Sequence, residues 1–259
     1  MNRRIRNSLA LVVLASFISL DFSAARGALV AIDDAGNYTT WTGNGGTGFG
    51  SWSFANTSGN GGQNGSFLAT TGGNPDLSIA TSGKGWGLYA NSGQTAEATR
   101  SLSGGSLAAG QSFIVRMDNG SVDSGGVVGF GLQTSGGANR FEFYFTGGQG
   151  NYTINVGGSE TTTSVPFTSD GLTLEFQQMT ADGFSFIING GTPFTGTLAA
   201  SDIERIRFFD FNSGNGNNVY FNSMEVTPVP EPSNMALAIF ASLAGTGVVM
   251  ARLRSRAES

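Results

Sequence analysis

Apolar and polar residues alternate along much of the chain, and a period of two puts every second side chain on one face of a β-strand. Phe113, Val115 and Met117 form one such face, and Val128, Phe130 and Leu132 the next. Phe141, Phe143 and Phe145 follow, then Tyr152, Ile154 and Val156, then Leu172, Leu174 and Phe176, then Phe184, Phe186 and Ile188. Six strands in about eighty residues read as an antiparallel meander. The gaps hold Asn119-Gly120, Gly136-Gly137, Gly147-Gly148, Gly157-Gly158, Asp170-Gly171, Asp182-Gly183 and Gly190-Gly191. These residues accept the positive φ of tight hairpins.

Further strands are expected over 49–54, 66–70, 77–80, 85–90, 96–102, 206–211 and 219–226. About thirteen strands, each burying one face, predict an all-β fold: an antiparallel two-layer β-sandwich of the jelly-roll kind. It is expected to occupy residues 28–227 without an internal domain break. One helical turn is expected within 198–206, and the glycine-rich stretch 42–65 reads as a long surface loop around one strand.

The two ends break the pattern. Arg3, Arg4 and Arg6 precede an apolar run over 9–20 and then small residues up to Ala28, the order of a secretory signal peptide, assigned to 1–27. At the other end an apolar stretch over 235–251 is followed by Arg252, Arg254 and Arg256. Seventeen helical residues span about 26 Å, enough for a thin bilayer, and the arginines would stay cytoplasmic as its anchor. The sandwich is thus expected to be flanked by a signal-peptide helix and a C-terminal transmembrane helix, and to lie outside the inner membrane.

Composition narrows the chemistry. Glycine is 41 of 259 residues, and Asp, Glu, Lys and Arg make up only 12%, a balance poor for surface helices. Histidine and cysteine are both absent, which removes Ser-His-Asp and Cys-His catalysis, the metal sites built on those side chains, and disulfides. Residues 28–227 hold 15 Asp or Glu against 6 Lys or Arg, a balance of −9 that repels phosphate backbones and argues against nucleic acid.

Val229-Pro230-Glu231-Pro232, the apolar stretch and the arginine cluster together resemble the PEP-CTERM sorting signal, here over 228–259. That resemblance implies an exported bacterial protein whose Pro-Glu-Pro is read and cut by exosortase, a membrane-embedded transpeptidase, after transient anchoring. The upstream domain would then reach the cell surface or exterior. The prolines suit such a site, because they fix φ and keep the segment extended. In the centre, strand number and turn spacing, with Gly85-Trp86-Gly87-Leu88-Tyr89-Ala90, Asp118-Asn119-Gly120 and Arg140-Phe141-Glu142-Phe143-Tyr144-Phe145, resemble concanavalin A-like lectin and glucanase sandwiches. The Glu-x-Asp-x-x-Glu string of the glucanases is not matched.

Candidate site residues follow from chemistry. Trp41, Trp52, Trp86 and Tyr89 combine an apolar face with a polar handle, as sugar stacking requires, and Trp41 is expected to be the exposed one. Glu142 and Glu175 each point away from the apolar face of their own strand, where they would line a sheet surface and supply the carboxylates of glycoside hydrolysis, or simply stand as solvated outward positions. Glu142 also joins Trp41, Trp86 and Tyr89 as a candidate for sugar binding. Asp118 and Asp123 offer oxygen ligands for calcium in a turn, or simply bond their own backbone. No cofactor other than calcium is expected. The reading reached is a non-catalytic surface or matrix protein associated with exopolysaccharide, not an enzyme. The alternatives are a lectin-like carbohydrate-binding module and, behind it, an extracellular glycan hydrolase or lyase.

Overall fold

The computed structural model describes residues 30–56, 63–73, 77–79 and 82–228. In chain order the strands are β1 Ala31–Asp33, β2 Ser53–Asn56, β3 Asn64–Thr70, β4 Lys84–Ala90, β5 Thr95–Ser101, β6 Gln111–Asn119, β7 Val127–Gln133 and β8 Asn139–Thr146. They continue with β9 Asn151–Val156, β10 Ser159–Pro166, β11 Leu172–Gln178, β12 Gly183–Ile188, β13 Phe194–Thr197, β14 Arg205–Phe211 and β15 Val219–Pro228.

Two antiparallel sheets face each other. One runs β13-β12-β11-β6-β15-β4-β3, with β1 added on β15, and the other β10-β9-β8-β7-β14-β5-β2. The predicted triplets all turn inward: Phe113, Val115, Phe176 and Phe186 from the first sheet meet Phe130, Phe141, Phe143 and Tyr152 from the second in one buried cluster. Their rings meet mostly tilted or edge-on, Phe141 with Phe186 at 4.8 Å and Phe143 with Phe186 at 5.2 Å. Aromatic rings bury large apolar areas and gain further from such offset contacts.

One end of the core is polar. Arg100 on β5 and Asp33 on β1 are fully buried and form an ion pair between the sheets. The Arg100 guanidinium also donates to the Asn44 side chain at 2.7 Å and to the Gly50 carbonyl at 2.8 Å, and it lies over the Phe49 and Trp52 rings. Asp33 accepts from Tyr38 Oη at 2.5 Å. A buried pair is tolerable only when its remaining donors and acceptors are filled, which these contacts accomplish. They also pin the irregular 38–50 segment to the sandwich.

Several sequence expectations change. The six-strand meander is divided, because β7 to β10 stay together in one sheet whereas β6 pairs with β11 and β15 in the other. Alternation reports which face is buried, not which sheet a strand joins. Leu77 to Ile79 form no strand and pack instead under Tyr220, and the 198–204 segment holds no helical turn. Pro228 closes β15 opposite Gln111, so the sheet reaches one residue into the stretch assigned to the sorting signal. The expected fold class carried two flanking helices. Among the described residues there is only a three-residue 3-10 turn, Ala35–Asn37, and no helix long and apolar enough to cross a membrane. The segments read as signal peptide and transmembrane helix lie outside the described residues.

Asp210 on β14 points inward with Ile206 and Phe208 and is fully buried. Its carboxyl is met by the Ser213 amide at 3.0 Å and hydroxyl at 2.7 Å, yet burial dominates and pushes its pKa up to about 7. The folded state therefore holds a proton that the unfolded state has released between pH 4 and 7, so stability falls as pH rises through that window, by roughly 4 kcal/mol in all. Thermal denaturation should give a melting temperature that climbs from pH 8 to pH 5. Asp210→Asn, which keeps both contacts to Ser213, should be more stable than the parent at pH 8 and remove most of the slope.

Candidate functional site

Since one face of each strand is spent on the core, chemistry is confined to loops and to the two outward faces. The outward face of the seven-stranded sheet carries a groove of about 750 Å³, lined among others by Glu142, Tyr144, Asn155, Glu160, Phe209 and Phe211. Strand alternation produces it. Phe141, Phe143 and Phe145 go inward, so Glu142 and Tyr144 go out, and Ile206, Phe208 and Asp210 likewise leave Arg207, Phe209 and Phe211 outside.

Between β8 and β14 runs β7, whose outward positions there are Gly129 and Gly131. With no side chains on this middle strand, residues from its two neighbours meet across it. A Cβ on Gly129 would lie 2.2 Å from the Phe143 carbonyl and 2.6 Å from Tyr144 Cβ, so only glycine admits Tyr144 in its present place. At Gly131 the nearest atom would be Glu142 Cγ at 3.4 Å, an ordinary contact.

Through this gap Arg207 Nη1 donates to Glu142 Oε1 at 3.3 Å, while Nη2 donates to Glu97 Oε1 on β5 at 2.7 Å. The guanidinium sits 4.7 Å from the Phe209 ring centroid and 5.1 Å from that of Phe211, and the two rings are stacked 5.0 Å apart. Arg207, Phe209 and Phe211 thus form a continuous ladder along β14. Glu142 also accepts from Asn139 Nδ2 at 2.7 Å and Asn155 Nδ2 at 3.1 Å. Glu160, exposed on β10, accepts from Tyr144 Oη at 2.7 Å.

Electrostatics follow the geometry. Burial raises the Glu142 pKa, with Glu160 and Glu97 adding to the effect and Arg207 opposing it. Burial and then the Glu160 carboxylate raise that of Tyr144, which remains a neutral hydroxyl donor. The groove therefore offers a ring face, amides, a phenol and two carboxylates, the pKa of Glu142 being raised by burial.

The other sequence candidates do not join this site. Trp41, Trp52 and Trp86 are all buried, packed on one another and on Phe54, Phe208 and Tyr38, so the expectation of an exposed Trp41 is reversed. Tyr89 is half-buried against Phe67 on the eight-stranded sheet, remote from Glu142. Glu175 shares that sheet, bonded to Ser112 and Gln177, so it and Glu142 occupy opposite outer faces and cannot act as a pair. Asp118 is buried and takes both the amide and the hydroxyl of Ser78, while Asp123 accepts from Asn217. Among the described residues no group of three or more acidic side chains is placed to hold a metal ion.

Arg207, Phe209 and Phe211 were not singled out in the sequence. The apolar run Ile206 to Phe211 hides which residues face out, although paired glycines at alternate positions of β7 were a readable sign of close side-chain approach.

Known proteins supply the fold. No protein-family model and no curated protein matches the chain. Among solved structures, a sialidase aligns with a TM-score of 0.54 at 11% identity over 78% of this chain, which spans only 19% of that protein. A structure from work on endo-acting O-glycanases of the human gut microbiota that initiate mucin breakdown aligns with a TM-score of 0.53 at 10% identity, over 78% of this chain and 100% of its own. The chain shares the antiparallel β-sandwich fold of these two structures.

Two expectations are corrected here. The fold is shared with carbohydrate-active enzymes, so the reading as a non-catalytic matrix protein, not an enzyme, loses its ground. That reading rested on the sorting-signal resemblance, and the absence of histidine and cysteine leaves carboxylate chemistry open. The sorting-signal resemblance finds no support, since no family model matches. The exosortase partner, the transient membrane anchor and the localisation built on them are likewise without support, and among the described residues no helix is long and apolar enough to cross a membrane. Val229 to Pro232 and the three arginines lie outside those residues.

Gly129→Ala should lower unfolding stability by about 1–3 kcal/mol, through overpacking against Tyr144 and the β8 backbone, whereas Gly131→Ala should stay close to the parent. Urea denaturation of the two variants checks the contrast.

Proposed function

We propose that this domain is a lectin-like carbohydrate-binding module that takes a glycan chain in the groove of the seven-stranded sheet. One observation carries the reading: the half-buried Phe211 ring borders the same open groove as Tyr144, Asn155, Glu142 and Glu160. A pyranose has an apolar face and a rim of hydroxyls, and such a groove answers both, with a ring for stacking and donors and acceptors beside it. The resemblance to concanavalin A-like sandwiches and the carbohydrate-active fold neighbours support this choice of ligand. A glycan array probed with the full chain tests it. Binding is expected, and Phe211→Ala should weaken it by about tenfold, roughly one stacking contact. Unchanged binding in that variant would place the sugar elsewhere.

Glu142 favours a second reading, hydrolysis of the bound chain. A carboxyl with a raised pKa suits a general acid, and Glu160 brings a second carboxylate to the groove. Release of reducing ends from polysaccharide should then be lost in Glu142→Gln while binding persists. Binding without release in the parent protein would leave the module reading alone.

A further inference from the structure

We infer that the groove takes an uncharged or amino-bearing glycan and turns away one carrying carboxylate or sulfate groups, with Glu160 and Glu142 setting this selectivity. The inference rests on the glycan-binding reading above and adds the class of sugar. It starts from a mismatch between the groove and the needs of an acidic sugar. Recognition of a carboxylate or sulfate calls for a guanidinium or ammonium free to face the ligand, arginine being favoured because its planar fork binds two oxygens at once.

Among the described residues lining the groove there is no lysine or arginine, while Glu142 and Glu160 are both present. The nearest cation, Arg207, is 9% exposed and already engaged. Its Nη1 goes to Glu142 and its Nη2 to Glu97, and its flat face is spent on Phe209 and Phe211. One guanidinium is shared by two carboxylates, so with Glu160 the cluster of Arg207, Glu97, Glu142 and Glu160 has three acids to one base. Arg140, on the same strand as Glu142, is held by both oxygens of Asp202 at 2.6 and 2.7 Å. The guanidinium of Arg205, also on β14, lies beside Gly137 at the turn between β7 and β8.

Glu160 is the open member of the set. It stands exposed on the edge strand β10, with Tyr144 bonded to Oε1. An anionic sugar entering the groove meets this carboxylate with no compensating cation, whereas a neutral sugar can donate hydroxyls to it and an amino sugar can donate an ammonium. Burial is the main cause of the raised Glu142 pKa, and the smaller contributions of Glu160 and Glu97 work against that of Arg207. The surplus of acidic residues over 28–227 extends the same preference to approach.

Three oligosaccharides of equal length discriminate: a neutral β-glucan, a chitosan fragment and a polygalacturonate fragment, titrated against the full chain by calorimetry at low and at about 0.5 M salt, where charge effects are screened within a few ångströms. The glucan or the chitosan fragment should bind at least about tenfold more tightly than the uronate at low salt. Glu160→Gln should narrow that gap, as should added salt. This variant keeps an acceptor for Tyr144 on an exposed edge, and a thermal melt shows whether its fold is intact. Uronate binding equal to or tighter than that of the other two overturns the inference while leaving the glycan groove standing. So does a gap that neither salt nor Glu160→Gln moves. Absence of binding by all three overturns both.

Discussion

Antiparallel alternation around a dry aromatic layer is the constraint from which the rest follows. Once Phe130, Phe141, Phe143, Phe176 and Phe186 are committed to the space between the sheets, the residue on either side of each must face outward. On β8 and β14 this forces Glu142, Tyr144, Arg207 and Phe209 onto one surface, whatever that surface does. Burial of those rings gives the sheets a reason to close, and the buried Arg100–Asp33 pair locks one end.

A sheet face covered with side chains of equal height would be flat. Here Gly129 and Gly131 leave two positions of the middle strand without side chains, and residues of β8 and β14 meet across them. That is why an arginine can reach a glutamate two strands away and still stack on two phenylalanines. The same closeness partly desolvates Glu142, and desolvation rather than any single neighbour does most to raise its pKa. Geometry and electrostatics of the groove are therefore linked through the close approach across β7, which a Cβ on Gly129 would block.

Much of the architecture was legible in the sequence, because the Phe and Leu triplets report buried faces directly. The outward direction of Glu142 was legible for the same reason. Glu175 was equally outward, yet its separation from Glu142 depends on β11 joining β6 rather than β10, a long-range pairing that local alternation does not encode. The tryptophans misled because a glycine-rich neighbourhood suggests exposure, whereas that segment is anchored back to the core by Arg100 through Asn44 and Gly50. Phe209 was hidden inside an apolar run that faces both ways, and only the pairing of β14 with β7 reveals what it borders.

The account places ligand recognition on the outward surface of one sheet and nowhere in the hairpin loops or on the opposite sheet. Amide chemical-shift mapping during titration with a bound oligosaccharide tests this most directly. The account predicts shifts concentrated at alternate residues of β8, β9 and β14, centred on Tyr144, Asn155 and Phe211. Shifts confined to β11, β12 and β4, or to the loops at the ends of the sandwich, would contradict it.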